Sequence, residues 1–198
     1  MRGFSDKPAE PGKFFFKIYT CIEETMSKTT LLMSMGGKGG VGKTITLVAI
    51  ADFLRARGQI VAPVDCDSEN AGKPSCFGHW FGGQATVLNL RNPADCDALL
   101  ESAAESDAPY VVADLPANSS GDLAAWWKEV ATPETIRELG LKVVAIGAIT
   151  PQPGAAQSVI EWMATLGERA EYLVALNRIA PEAAPKAKEE TFSDWYGA

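Results

Sequence analysis

The chain has 198 residues, 46% of them hydrophobic and 22% charged, so it can bury a full core and is most simply one domain. Its formal net charge is −7, and no apolar run approaches the roughly 20 residues of a membrane span. This excludes an integral helical membrane protein and a broadly basic nucleic-acid binder, and leaves attachment to a membrane surface open.

Residues 1–25 differ from the rest: they show no clear period and carry four basic and four acidic residues. Met26-Ser27-Lys28-Thr29-Thr30 then leads straight into an apolar run, as a natural start would. Residues 1–25 are therefore expected to be a spurious or disordered extension, and residues 26–198 the folded domain. The Phe14-Phe15-Phe16 cluster is too short for the apolar core of a signal peptide, so the expected compartment is the cytoplasm. Cys21, Cys66, Cys76 and Cys96 form no C-x-x-C pair, which fits a reduced protein. Zinc held by Cys76 and His79 with Cys66 and Cys96 is the lesser reading, because isolated Cys and His usually serve packing.

Residues 30–35 read as a buried strand and residues 44–57 as a helix stopped by Gly58. Between them lies Gly36-Gly37-Lys38-Gly39-Gly40-Val41-Gly42-Lys43-Thr44, which satisfies the phosphate-loop pattern G-x-x-x-x-G-K-[ST] from Gly37 to Thr44. The glycines let successive backbone N–H groups turn inward around phosphate oxygens. Lys43 can charge-pair with the β- and γ-phosphates, and the Thr44 hydroxyl can ligate Mg²⁺. Strand, glycine loop and helix N-terminus in that order imply a nucleotide site.

Residues 60–64 form a second strand ending in Asp65-Cys66-Asp67, and the intervening helix makes the two strands parallel. Residues 71–84, rich in glycine and aromatics, are expected to form a loop or short helices near the nucleotide. Residues 93–105 are helical, and residues 110–114 form a third strand ending in Asp114. Residues 121–130 read as a helix with Trp126 and Trp127 adjacent, so a regular helix should point one of them away from the core. A strand at 142–149, a helix at 155–166 and a strand at 172–176 ending in Asn177-Arg178 follow. The expected architecture is α/β: a doubly wound, mostly parallel sheet with helices on both faces.

The second lysine in the loop, Lys38, makes K-G-G-V-G-K-T resemble the deviant phosphate loop of the ParA/MinD family of dimeric ATPases. That resemblance spans about residues 30–178 and implies an Mg²⁺-dependent ATPase acting as an ATP-dependent homodimer. It implies that Lys38 reaches the nucleotide of a partner subunit, that Asp67 orients water and contacts the Mg²⁺ shell, and that Asp114 holds Mg²⁺ as a Walker B carboxylate. It also implies that Asn177 contacts adenine. A GTPase would carry N-K-x-D where Asn177-Arg178-Ile179-Ala180 stands, so ATP is favoured. The sequence departs from the family at Ser68-Glu69-Asn70, and its segment after Asn177 is short, so the C-terminus is expected to be reduced or truncated. No cysteine follows Cys96, which excludes the iron–sulfur branch. The D-x-D-x-x-N spacing, the Trp pair and the short tail are similar to plasmid conjugal-transfer and stability ATPases (TraL/StbB-like).

The readings are thus an ATP-hydrolysing dimeric switch working through a protein partner, a partition ATPase that coats DNA, or an adaptor that binds nucleotide without turnover. From residue 84 to the end there are 17 Asp/Glu against 8 Lys/Arg, a balance of −9 that repels phosphate backbones. The full chain is accordingly expected to show no appreciable binding to random-sequence duplex DNA at physiological salt, with or without ATP. Micromolar binding in a fluorescence-anisotropy titration, weakening steeply with added salt, would support the partition reading instead.

Overall fold

The computed structural model describes residues 28–67, 75–117 and 121–177. The expectations for residues 1–25, for Ser68-Glu69-Asn70, for Arg178 and for the tail lie outside the described residues. Six parallel strands form one sheet in the order β3-β2-β4-β1-β5-β6. They are β1 (Thr29–Met35), β2 (Val61–Asp65), β3 (Thr86–Val87), β4 (Tyr110–Asp114), β5 (Leu141–Ile149) and β6 (Glu171–Leu176). Apolar, β-branched runs such as Val111-Val112-Ala113 suit strands covered on both faces, which cannot show polar alternation.

Helices α1 (Lys43–Ala56) and α2 (Cys76–Trp80) cover one face. Leu47, Val48 and Ala51 of α1 pack with Phe77 and Phe81 against Leu32, Val112 and Ile146. The other face is covered by α3 (Pro93–Glu105), α4 (Gly121–Glu129) and α6 (Ala155–Leu166), with α5 (Pro133–Glu138) against β5. There Leu99, Leu100, Trp127, Val159 and Trp162 meet Leu31, Met33, Val111, Val143 and Ala145. Residues of β1 alternate strictly between the two cores, as the strand period requires. The chain moves outward from β1 to β2 past β4, then returns across β1 to reach β5. That reversal puts the switch in chain direction at the carboxyl ends of β1 and β4, the position where open α/β sheets bind ligands.

Three elements differ from the sequence expectation. Strand β3 was not expected; it follows α2, a short helix of the kind expected within residues 71–84, which Ser75 starts by accepting the Gly78 N–H on its side chain. Helix α5 was not expected; it carries its own N-cap, Thr132, and Pro133 in its first turn. The third concerns the tryptophans, neither of which points outward: Trp126 is 8% exposed and Trp127 is 0%. Helix α4 lies between α3 and α6, so neighbouring helices as well as the sheet cover it. Trp126 packs edge-on against Trp127 at 5.2 Å and donates its Nε1–H to Asp97 of α3 at 2.8 Å.

The two rings should therefore respond differently to substitution in urea unfolding. Trp127→Ala is expected to cost about 3–5 kcal/mol, the usual range for emptying a buried aromatic site. Trp126→Phe keeps most of the packing and should cost about 1 kcal/mol, chiefly the lost hydrogen bond to Asp97. Equal small losses for both would mean that α4 is not packed as described.

Candidate nucleotide site

The last residues of β1 feed directly into the glycine loop. Gly36, Gly40 and Gly42 have φ of 105°, 74° and 95°, a left-handed backbone that other residues adopt only with strain. At Gly42 the constraint is doubled, since a β-carbon there would lie 2.6 Å from Nδ2 of Asn177. Gly42 also serves as the N-cap of α1, supplies no capping side chain, and is followed by no acidic residue in the first turn. The positive end of α1 is thus left to attract an anion.

The loop is held from three directions. Asn177, just beyond β6, donates its side-chain Nδ2–H to the Val41 carbonyl at 2.9 Å. Ser158 of α6 accepts from the Lys38 N–H at 3.2 Å. Val41 itself is buried with Ala148 and Ala155. The two lysines stand apart within this frame. Lys43 is 8% exposed, and its ammonium donates to the Lys38 carbonyl at 3.0 Å, whereas the Lys38 residue is exposed. Burial pulls the Lys43 pKa below that of an ordinary lysine, opposed by the charges of Asp114 and Asp67.

The acidic residues converge from β2 and β4. Asp65 and Asp114 are paired in register across these strands, both buried at the carboxyl edge. Asp114 accepts the Thr44 hydroxyl on Oδ2 at 2.7 Å and the Ser34 hydroxyl on Oδ1 at 3.0 Å. Its pKa is pushed up to about 6, mainly by burial, although both hydroxyls and Lys43 favour the charged form. Asp65 does structural work, accepting from the Asp67 N–H at 3.2 Å and from the Ser75 hydroxyl at 2.6 Å. This fixes the turn that carries Asp67, which lies near enough to influence both Lys43 and Asp114 electrostatically. Thr44 and Asp114 together offer adjacent hard oxygen donors beside the loop, a set that fits Mg²⁺.

Residues proposed from sequence are thereby brought to one edge: Gly37, Lys38, Gly39, Gly40, Val41, Gly42, Lys43, Thr44, Asp67, Asp114 and Asn177. Ser34 and Ser158 were not expected there. A serine inside the apolar run of β1 is the signal that could have revealed the first, because a buried hydroxyl needs a partner. Of the cysteines, Cys66 and Cys96 lie in the core and Cys76 is exposed on α2, while Cys96 donates its thiol to the Leu90 carbonyl. Burial, reinforced by neighbouring carboxylates, raises the Cys66 thiol well above its ordinary pKa.

A parallel sheet with a glycine loop, a buried loop lysine and a Thr–Asp pair at its carboxyl edge defines a phosphate-loop nucleotide-binding protein. Residues 32–190 match the family described as the CobQ/CobB/MinD/ParA nucleotide binding domain, and the chain belongs to that family. It is 26% identical over 141 residues to Protein MobD of Acidithiobacillus ferrooxidans, a match covering 70% of this chain. The chain spans 59% of that relative's length. Among solved structures it is similar to chloroplast FtsY from Physcomitrella patens, with TM-score 0.51, 19% identity and coverage of 75% of this chain and 50% of the other. FtsY from Elizabethkingia anophelis in complex with GDP gives TM-score 0.53, 16% identity and coverage of 74% and 48%. At such identities these structures establish the fold alone. Among the described residues, no helix is long and apolar enough to cross a membrane.

The raised Asp114 pKa has a measurable consequence in the absence of Mg²⁺ and nucleotide. The folded chain holds this proton more tightly than the unfolded chain, whose carboxylate stays near 3.8. Stability should therefore fall as pH rises from about 4 to about 6 and level off above, by up to about 3 kcal/mol at 1.36 kcal/mol per pKa unit. Asp114→Asn should remove that slope in urea unfolding measured across this window. A slope unchanged in the variant would assign it to other groups.

Proposed function

We propose that this protein binds and hydrolyses Mg²⁺-ATP as a dimeric switch that acts on a protein partner, serving plasmid conjugal transfer or maintenance. The observation that carries this reading is the division of labour between the lysines. Lys43 is buried in its own loop, whereas Lys38 in the same loop is exposed. A residue meant for its own subunit's phosphates belongs inside, and one meant for a partner's nucleotide belongs outside. The assignment to plasmid systems rests on the resemblance of the Asp65–Asn70 spacing and the Trp pair, and is the finest part of the proposal. The acidic balance of the C-terminal half favours a protein partner over a DNA coat.

Phosphoryl transfer needs positioning and charge neutralisation more than covalent chemistry. The loop N–H groups and the N-terminus of α1 would cradle the phosphates. Lys43 would exchange the Lys38 carbonyl for the β- and γ-phosphate oxygens, a favourable exchange for an ammonium already stripped of water. Thr44 and Asp114 would hold Mg²⁺, which when bound neutralises charge on the phosphate oxygens. Asp67 would orient the attacking water, and Asn177, beside the loop, would meet the adenine. Lys38 of the partner subunit would add positive charge as two chains close.

The lysines should accordingly fail in different ways. Lys43→Ala is expected to weaken ATP binding itself. Lys38→Ala should bind ATP as a monomer and lose ATP-dependent dimerisation and turnover. A comparable trans-acting cation, the arginine finger, is worth roughly 10³–10⁵ in rate. Asp67→Ala should accumulate as a closed ATP-bound dimer. Light scattering with and without ATP, together with phosphate release, reads all three. If Lys38→Ala dimerises and turns over near the parent rate, the dimeric-switch reading is wrong.

A further inference from the structure

Ser34 stands between Met33 and Met35 in the buried part of β1 and is itself fully buried. Its hydroxyl lies 3.0 Å from Asp114 Oδ1 and 3.3 Å from the Leu115 carbonyl, to either of which it can donate, and it accepts from the Leu115 N–H at 2.7 Å. This meeting follows from the register. Met33 pairs with Ala113, so the next residues along the two parallel strands come side by side. Period two then places Ser34 on the face of Leu32, and Asp114 on the face of Val112, both against the α1 core.

Asp114 is consequently gripped from two sides, by Ser34 on one oxygen and Thr44 on the other. Its carboxylate cannot rotate without losing both bonds. The same serine pins the N–H of Leu115, where residues 115–117 begin. That segment runs toward the phosphate loop, such that a β-carbon on Gly39 would lie 4.0 Å from the Ala117 methyl.

We infer that Ser34 is a positioning residue for cation binding: one buried hydroxyl aims Asp114 at Thr44 and anchors residues 115–117 beside the phosphate loop. Ser34 touches neither nucleotide nor metal and acts through Asp114, so the inference rests on the reading of Asp114 as the Mg²⁺ carboxylate. A loop lysine and loop amides that bind phosphate do not depend on it. Loss of the hydroxyl should therefore separate phosphate binding from the Mg²⁺ response.

The test uses the full chain and a fluorescent ATP analogue, titrated in EDTA and at increasing Mg²⁺. Ser34→Ala should keep its affinity in EDTA to within about twofold. It should need about tenfold more Mg²⁺ for half of the affinity gain, within the 10–100-fold usual for residues that orient metal ligands. Ser34→Thr retains the hydroxyl and should restore the parent Mg²⁺ response, even if its extra methyl lowers the melting temperature. Asp114→Asn should lose that response altogether. A parent-like Mg²⁺ response in Ser34→Ala, with the response lost in Asp114→Asn, overturns the role of Ser34 alone. A normal response in Asp114→Asn overturns the metal assignment itself. A folded Ser34→Thr as impaired as Ser34→Ala would mean that packing, not the hydroxyl, is being read, and also overturns the inference. Should Ser34→Ala fail to fold, Ser34→Cys takes its place under the same criteria, since it fills the space with a much weaker donor.

Discussion

The hydrogen bond from Thr44 to Asp114 exists because β1 and β4 are parallel neighbours. Parallel pairing brings both strands to the same edge at the same height. One strand then turns through glycines into α1 while the other ends in a carboxylate facing the first turn of that helix. Neither half is useful alone. Reversing the direction of either strand would put Asp114 at the opposite end of the sheet from the phosphate loop. The crossovers through α1 from β1 to β2 and through α3 into β4 together enforce the parallel arrangement, and the apolar faces of α1 and α3 against the sheet stabilise it.

Two buried ionisable groups make the site costly to hold together. Burial disfavours the charge on both Lys43 and Asp114, and each is partly compensated by hydrogen bonds within the site. Lys43 leans on a carbonyl of its own loop, and Asp114 leans on two hydroxyls. A phosphate and a divalent cation are the groups that would relieve these two penalties together. The same buried, pre-oriented dipoles would become binding energy when charge of the right sign arrives.

Much of this was legible in the sequence for a physical reason: the loop's chemistry is local. Gly37, Gly42, Lys43 and Thr44 stand at the fixed spacing that a phosphate-binding loop requires, so the pattern could be read directly. The strands ending in Asp65 and Asp114 were legible because buried parallel strands are short, unbroken apolar runs closed by a polar residue. Elements lacking such signals were missed. Strand β3 is two residues long, and both are exposed. Helix α5 buries only Ile136, too little to show a period. The tryptophans misled because adjacency on one helix says nothing about how many neighbours surround it. Ser34 and the tie from Asn177 to Val41 depend on contacts 80 and 136 residues apart in sequence, which no local pattern encodes.

The central claim is that the loop, Lys43 and the Thr44–Asp114 pair form one working Mg²⁺-nucleotide site. Isothermal titration calorimetry of the full chain with ATP and with GTP, each with Mg²⁺, tests it most directly. Saturable binding of one ATP per chain, tighter than GTP, is the predicted result. Absence of saturable binding for both nucleotides in folded protein would contradict it.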